Sequence, residues 1–311
     1  MSAEPTAAET TAQPVPTGGE RPGVGLFWFV PLLMVLLNLQ GLLKFDRSSA
    51  GILFVIALLS GGLYLFQRSL NGALYWRELR NYIITPIGYV SAVACLLSIF
   101  GFFFLGIAPL VPPFWDAQTA SIRGYLALLP ATFILFVPAV TMRIWAEERK
   151  SGTIELLSTL PLRESDLVLA KFAAAWTYVS AIVLASLPLA LSVYWIGENF
   201  DWGALFTMYV GSILMAGAYV SLGMVISATT REQSVAFILI FIVSAVMFLA
   251  NYYLIRQHIP PAAAGIIGFF TLGYHYDSFS RGVVDLSDLF FFLSFTALML
   301  GINVWILRRE R

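Results

Sequence analysis

The feature that most constrains this chain is the recurrence of apolar runs of bilayer length. A helix needs roughly 20 mostly apolar residues to cross a hydrocarbon core about 30 Å thick, because in lipid every backbone polar group must be satisfied inside its own helix. Eight stretches approach that length: Leu26 to Leu43, Gly51 to Phe66, Ile87 to Gly106, Leu126 to Met142, Leu167 to Ile196, Leu205 to Ala228, Val235 to Ile255 and Leu289 to Leu307. Only 12% of the residues are charged, against about 25% in soluble domains. The expected fold is all-α, a polytopic membrane protein. Pro31 interrupts the first run and the second is short, so residues 26–69 read as a transmembrane hairpin that tilts or dips.

Residues 1–25 are rich in Ala, Thr, Pro, Glu and Gly and hold few bulky apolar side chains. Such a segment does not repay the entropy of ordering and reads as a disordered tail. Its first basic residue is Arg21, so it lacks the basic start of a secretory signal. Positive charge sets the orientation, because cytoplasmic loops carry the excess of Lys and Arg. Starting the third run in the cytoplasm places Arg68, Arg77, Arg80, Arg143, Arg149, Lys150, Arg163, Lys171, Arg231, Arg308, Arg309 and Arg311 inside, and only Arg123, Arg256 and Arg281 outside. Both termini are then cytoplasmic, although Lys44 and Arg47 fall on the outer side of the first hairpin.

Several activities are disfavoured by what the runs lack. An ionisable residue inside a bilayer costs at least about 2.5 kcal/mol, so such residues mark proton relays and ion paths. Apart from Lys171 near the entrance of its run, the last six runs hold none at depth, which disfavours a proton- or sodium-coupled carrier. His258 and His275 both fall outside, between the last two runs, and do not face each other across helices as axial haem ligands would. Cys95 is the single cysteine, so it builds no disulfide or thiolate metal site within one chain and reads as a small core residue. No HExxH or GxSxG motif occurs. Gly152 stands where an EExxxR protease motif starting at Glu147 would need arginine, and the pair Glu147 and Glu148 reads as a solvated helix end. The lysines Lys44, Lys150 and Lys171 follow Leu43, Arg149 and Ala170, whereas a phosphate-cradling GxxxxGK[ST] loop needs glycine before lysine. The chain is expected to have no catalytic residue, metal or cofactor of its own and no nucleic-acid partner.

Two segments read as built for coupling. From Asn71 to Ile83, Leu74, Tyr75, Leu79, Tyr82 and Ile83 fall on one side of a helix, with Arg77, Arg80 and Asn81 opposite and Glu78 the exception. Such an amphipathic helix lies in the headgroup plane, and Pro86, suited to a helix's first turn, lets the chain turn into the third run. The second segment, residues 143–167, is the charge-dense loop between the fourth and fifth runs. Gly152 breaks it. Thr153 can cap a short second helix that bears Ile154, Leu156, Leu157 and Leu160 and carries Glu155 near its positive end. Pro161 stops that helix, and Ser165 and Asp166 offer caps for the next run. Exposed apolar residues on a helix joined to two spans suit a groove on a partner.

At these residues a family resemblance becomes specific. EERKSGTIELLSTLPLRESDLVLAK resembles the intracellular loop of ABC-2 type permeases, especially their gliding-motility-associated branch. YWRELRNYIITPIGYV resembles that family's elbow helix running into its first span, and YHYDSFSRGVVDLSDLFFFLS the stretch leading into its last. The likeness covers about Leu74 to the C-terminus, a six-span permease domain over 70–311 preceded by an extra hairpin. It implies a non-catalytic subunit of an exporter in the bacterial cytoplasmic membrane, paired with a second permease copy or a related permease. A cytoplasmic ABC ATPase subunit, holding the ATP and Mg, would dock on Glu147, Glu148, Arg149, Ser151, Gly152, Thr153, Glu155, Leu156 and Leu157. It also implies an elbow helix at 71–83 and a re-entrant outer region at 259–287, where the apolar IPPAAAGIIGFFTLGYHY is too broken by proline and glycine for an ordinary span.

The alternatives are a secondary carrier or channel working without ATPase, and a membrane scaffold whose loop docks a partner while nothing crosses. Gly217 with Ser221 and Gly223 with Ser227 have the four-residue spacing that lets helices approach closely, either toward a second copy or within the chain. Asn251, Ser244 and Thr132 are the polar candidates for lining a path, too few to define a substrate.

Overall fold

The computed structural model describes residues 72–106, 113, 116, 126, 128–153, 163–196, 201–250 and 270–309. The expected tail, the hairpin at 26–69, residues 154–162 of the charged loop, Asn251 and residues 259–269 of the outer region lie outside them. All the described residues fall in one unit, Gln67–Arg311. They are helical for about 90% and form no strand.

The amphipathic segment forms α1, Gly72–Ile84, with Leu74 and Leu79 buried. Thr85 is extended and Pro86 opens α2, Pro86–Leu105, since a ring that fixes φ and lacks an N–H is tolerated in a first turn. The next span is built of two helices, α3, Leu129–Thr141, and α4, Arg143–Ser151, joined at Met142. Pro138 lies inside α3; it gives no N–H to the carbonyl one turn back and loosens the ladder just before the joint.

The fifth run departs from the single helix expected over Leu167 to Ile196. It folds as α5, Glu164–Ala185, and α6, Leu187–Ile196, with a turn at Ser186. Pro188 is the cause, because it cannot donate to the preceding turn. The Ser186 hydroxyl bonds back to the Val183 carbonyl at 2.5 Å and meets the Tyr209 hydroxyl at 3.1 Å. The expected cap is also corrected. Arg163 is the N-cap, without a side-chain bond, so Ser165 and Asp166 lie inside the first turn, where Glu164 and Asp166 favour the helix dipole instead.

Helix α7, Trp202–Thr229, begins at Asp201, whose carboxylate accepts from the Gly203 and Ala204 amides at 2.9 and 3.2 Å. Helix α8, Gln233–Ala250, follows a short turn. Helix α9, Leu272–Ser280, is short, and α10, Leu286–Arg309, closes the described chain. Six helical runs among the described residues are long and apolar enough to cross a membrane: Pro86–Leu105, Leu129–Ser151, Glu164–Val193, Trp202–Thr229, Gln233–Ala250 and Leu286–Arg309.

Helix α7 is the axis of the bundle. It packs against α3, α4, α5, α8, α9 and α10, and 83% of its apolar stretch is buried, against 17% for α8 and for α10. Its small residues make this centrality sterically feasible. A methyl on Gly223 would overlap the Thr141 side chain of α3, and one on Gly217 would lie 3.3 Å from the Trp176 indole of α5. Gly217 and Gly223 of α7 thus pack against neighbouring helices of the same chain. Within the described part of the outer region, α9 is laid on α7: Phe279 covers Gly211, and Tyr276 meets Ser212 at 3.1 Å while donating to the Leu126 carbonyl at 2.9 Å. Cys95 is buried in α2.

Candidate docking site

The candidate site is the charged end of the span Leu129–Ser151. Where α3 passes into α4 at Met142, the ladder is completed from outside by α7. The Ser227 hydroxyl donates to the Met142 carbonyl at 3.0 Å and accepts from the Trp145 and Ala146 amides at 3.2 and 3.3 Å. A buried joint of this kind keeps its backbone groups satisfied. Helix α4 then ends at Gly152, with φ 71° and ψ 5° and its amide bonded to the Arg149 carbonyl. That left-handed conformation is the usual helix stop for glycine, which has no Cβ to clash. Arg149 and Lys150 in the last turn complement the negative helix end. The Ser151 hydroxyl donates to the Glu147 carbonyl at 2.9 Å and lies 2.9 Å from the Thr153 hydroxyl. The Thr153 hydroxyl turns back on α4, 3.4 Å from the Glu148 carbonyl.

The structure sorts the nine expected docking residues. Glu147, Ser151 and Gly152 are exposed, as is Lys150 beside them. Glu147 pairs with Arg143 one turn away at 3.0 Å, and Lys150 reaches across to Glu232 at the start of α8 at 2.8 Å. Arg149 and Thr153 are half-buried. Glu155, Leu156 and Leu157 lie outside the described residues. Glu148 points the other way from its neighbour Glu147, into the protein.

There it meets a buried ionic cluster that sequence reasoning missed. Lys171 of α5 is only 4% exposed, and its Nζ donates to Glu148 Oε1 at 2.7 Å and to the Ile144 carbonyl at 3.3 Å. It lies 3.6 Å from Glu78 Oε1 of α1 and 5.2 Å from the centre of the Trp145 ring. Arg77 closes on Glu78 at 2.7 Å. Two cations and two carboxylates balance, as the buried Lys171 requires, while Arg77 at the rim stays half-exposed. Lone charges there would cost several kcal/mol each. Two signals were present in the sequence: Lys171 as the single charge inside a run, and Glu78 as the single acid on the apolar side of α1. Burial of Lys171 gives both the same explanation.

Helix α1 is seated on α5 by two more contacts. The Tyr75 hydroxyl donates to Thr177 at 3.2 Å, and Tyr82 stacks on Tyr178 with ring centres 5.0 Å apart. Tyr178 in turn reaches α2, donating to the Gly88 carbonyl at 2.5 Å. The elbow-like helix, the loop-bearing helix and the span after the loop thus converge on one small region.

Comparison with known proteins decides the family to which this arrangement belongs: residues 112–307 match the sequence pattern of the ABC-2 family transporter protein. This chain belongs to the ABC-2 transporter family. The match is to the family as a whole and does not support the gliding-motility-associated branch. No curated protein matches the chain. Family and spans together make it a multi-pass membrane protein and a component of an ABC permease.

The far end of this ABC-2 protein holds a second feature absent from the expected site. His275 of α9 and Asp288 of α10 are both buried and meet at 2.6 Å between Nδ1 and Oδ1. The imidazole stacks on Phe291, 3.7 Å between ring centres. Of the polar path candidates, Thr132 is buried and bonds the Leu128 carbonyl at 3.3 Å, which spends it on its own helix. Ser244 is buried, and its hydroxyl has no bond among the described residues.

Proposed function

We propose that this chain is the permease subunit of an ATP-driven exporter in a bacterial cytoplasmic membrane, with both termini in the cytoplasm. A separate ATPase subunit, carrying the ATP and Mg, docks on the loop that begins at α4. Two permease chains, identical or related, enclose the path. The observation that carries this reading is the continuity of the run Leu129–Ser151. One helical rod, jointed at Met142, joins the bilayer segment to an exposed charged tip at Glu147, Lys150, Ser151 and Gly152. A push on that tip has a direct mechanical route into the spans. The family match supports the same reading, since ABC-2 permeases work with an ATP-binding subunit.

The test is reconstitution of the purified chain in lipid with the cytoplasmic ATPase that copurifies with it. Stimulated ATP hydrolysis and ATP-dependent movement of solute out of vesicles are the expected results. The charge reversals Glu147→Lys and Lys150→Glu should weaken ATPase binding while the isolated permease keeps its stability. Uptake or release of solute by the chain alone, without any ATPase, would sink the reading and favour a carrier or channel. An ATPase that binds while no solute moves would favour a scaffold.

A further inference from the structure

Resting on that docking reading, we infer that Lys171 is a positioning residue for energy coupling: a buried cationic clasp that makes α1, α4 and the inner turn of α5 move as one body. The observation is its simultaneous reach. Its ammonium bonds Glu148 and the Ile144 carbonyl of α4 at 2.7 and 3.3 Å and lies 3.6 Å from Glu78 of α1, while its own stem belongs to α5. A lysine 4% exposed is costly to bury, and apolar residues in place of the whole ion-paired cluster would often hold the fold as well or better. What a methionine or leucine cannot supply is directional attachment to two separate helices. The geometry is also selective within the loop: of the adjacent Glu147 and Glu148, the first faces solvent for a partner and the second faces Lys171. One turn of α4 therefore carries an outward contact and an inward one on neighbouring residues. Displacement of the tip is handed to the α1 and α5 helices without passing through the Met142 joint.

The neighbouring polar contacts run by other routes. Tyr75 and Tyr82 hold α1 to α5, and Ser227 holds α4 to α7. Lys171 ties α1 to α4 through Glu78 and Glu148. Arg77, beside Glu78, keeps the cluster neutral when Lys171 is engaged.

The test has two arms on the full chain. In the first, spin labels on Arg80→Cys of α1 and Ser151→Cys of α4 report the α1 to α4 distance distribution in nanodiscs without ATPase. It should be narrow in the parent and broad in Lys171→Met. Glu148→Gln/Lys171→Met removes both charges together, guards against misfolding by a lone buried carboxylate, and should broaden it too; Lys171→Arg should restore a narrow one. In the second arm, ATPase binding and solute moved per ATP are measured together. Binding should be unchanged in Lys171→Met, while solute moved per ATP falls roughly tenfold, inside the 5- to 150-fold range of ordinary coupling energies, and recovers in Lys171→Arg. Distances unchanged by Lys171→Met, or an unchanged transport ratio, overturn the clasp. A parent chain that recruits no ATPase defeats the export reading instead, and the distances still decide whether the clasp exists.

Discussion

His275 and Asp288 are joined at 2.6 Å across the turn that leads from α9 into α10, both buried. The second carboxylate oxygen of Asp288 has no hydrogen bond among the described residues, so the imidazole is the group that repays its burial. His275→Ala should therefore destabilise more than Asp288→Ala. The first strands a buried carboxylate, a loss of about 3–5 kcal/mol. The second removes a bond to a charged group, about 1.5–3 kcal/mol. Unfolding midpoints in detergent, with the double variant His275→Ala/Asp288→Leu recovering part of the loss, check the order.

The approach of α7 to α3 at Gly223 is tighter than any side chain allows, since an added methyl overlaps the Thr141 hydroxyl and lies 2.8 Å from its Cβ. Gly223→Ala should cost about 1–3 kcal/mol through overpacking. Thr141→Ala in the same chain should return part of that, because the hydroxyl is gone while the Cβ stays. Thermal unfolding of the two single variants and the double one measures the interaction.

Ser227 completes the ladder at the Met142 joint with one hydroxyl. Ser227→Ala takes the hydroxyl away from a buried carbonyl and two amides at the joint, an expected loss of about 1–3 kcal/mol. Because the joint lies beside the proposed docking tip, hydrogen exchange at residues 143–151 should rise more than at α10. Equal exchange in both helices would show that the hydroxyl is not what holds the joint.

Burial raises the Tyr75 and Tyr82 phenols above the ordinary value of 10, despite the Tyr75 bond to Thr177 and the Arg143 charge near Tyr82. The folded state keeps those protons to higher pH than the unfolded chain does. The stability they give α1 is intact below pH 10 and is lost as the pH rises beyond it toward the raised values. Fluorescence of Trp76, adjacent to Tyr75, should report α1 loosening above pH 10. The variant Tyr75→Phe/Tyr82→Phe should remove that dependence.

At Gly152 the strain is conformational alone, since φ is +71° and nothing lies within 4 Å of the point an added methyl would occupy. Gly152→Asn should be nearly neutral and Gly152→Val costly, because a branched side chain disfavours the left-handed region, where even an ordinary one costs roughly 1–2 kcal/mol. If the loop docks an ATPase as proposed, ATPase binding should follow the same order as stability of the α4 end.

Local patterning was legible. Each of the last six apolar runs corresponds, over its described residues, to one of the six candidate spans, Pro86 starts α2, Gly152 stops α4, and Leu74 and Leu79 are buried in α1. These follow from hydrophobic length, helical period and the fixed dihedrals of proline and glycine, all properties of neighbouring residues. The break at Ser186 was also within reach, since Pro188 was visible, but a proline inside an apolar run reads equally as a tolerated kink. The pairing of His275 with Asp288 was not legible, because a separation of 13 residues across a turn has no fixed spatial meaning.

Glu147 and Glu148 show where the division lies. Composition and spacing alone determined that this is a helical membrane chain with its charges gathered at the ends of its spans, because bilayer thickness and backbone hydrogen bonding leave no other fold for such runs. Which of two adjacent glutamates faces a partner and which faces Lys171 was decided only by the tertiary structure. Neighbouring positions on a helix point about 100° apart, and a face acquires meaning only when another element, here α5 with its lysine, comes to lie against it.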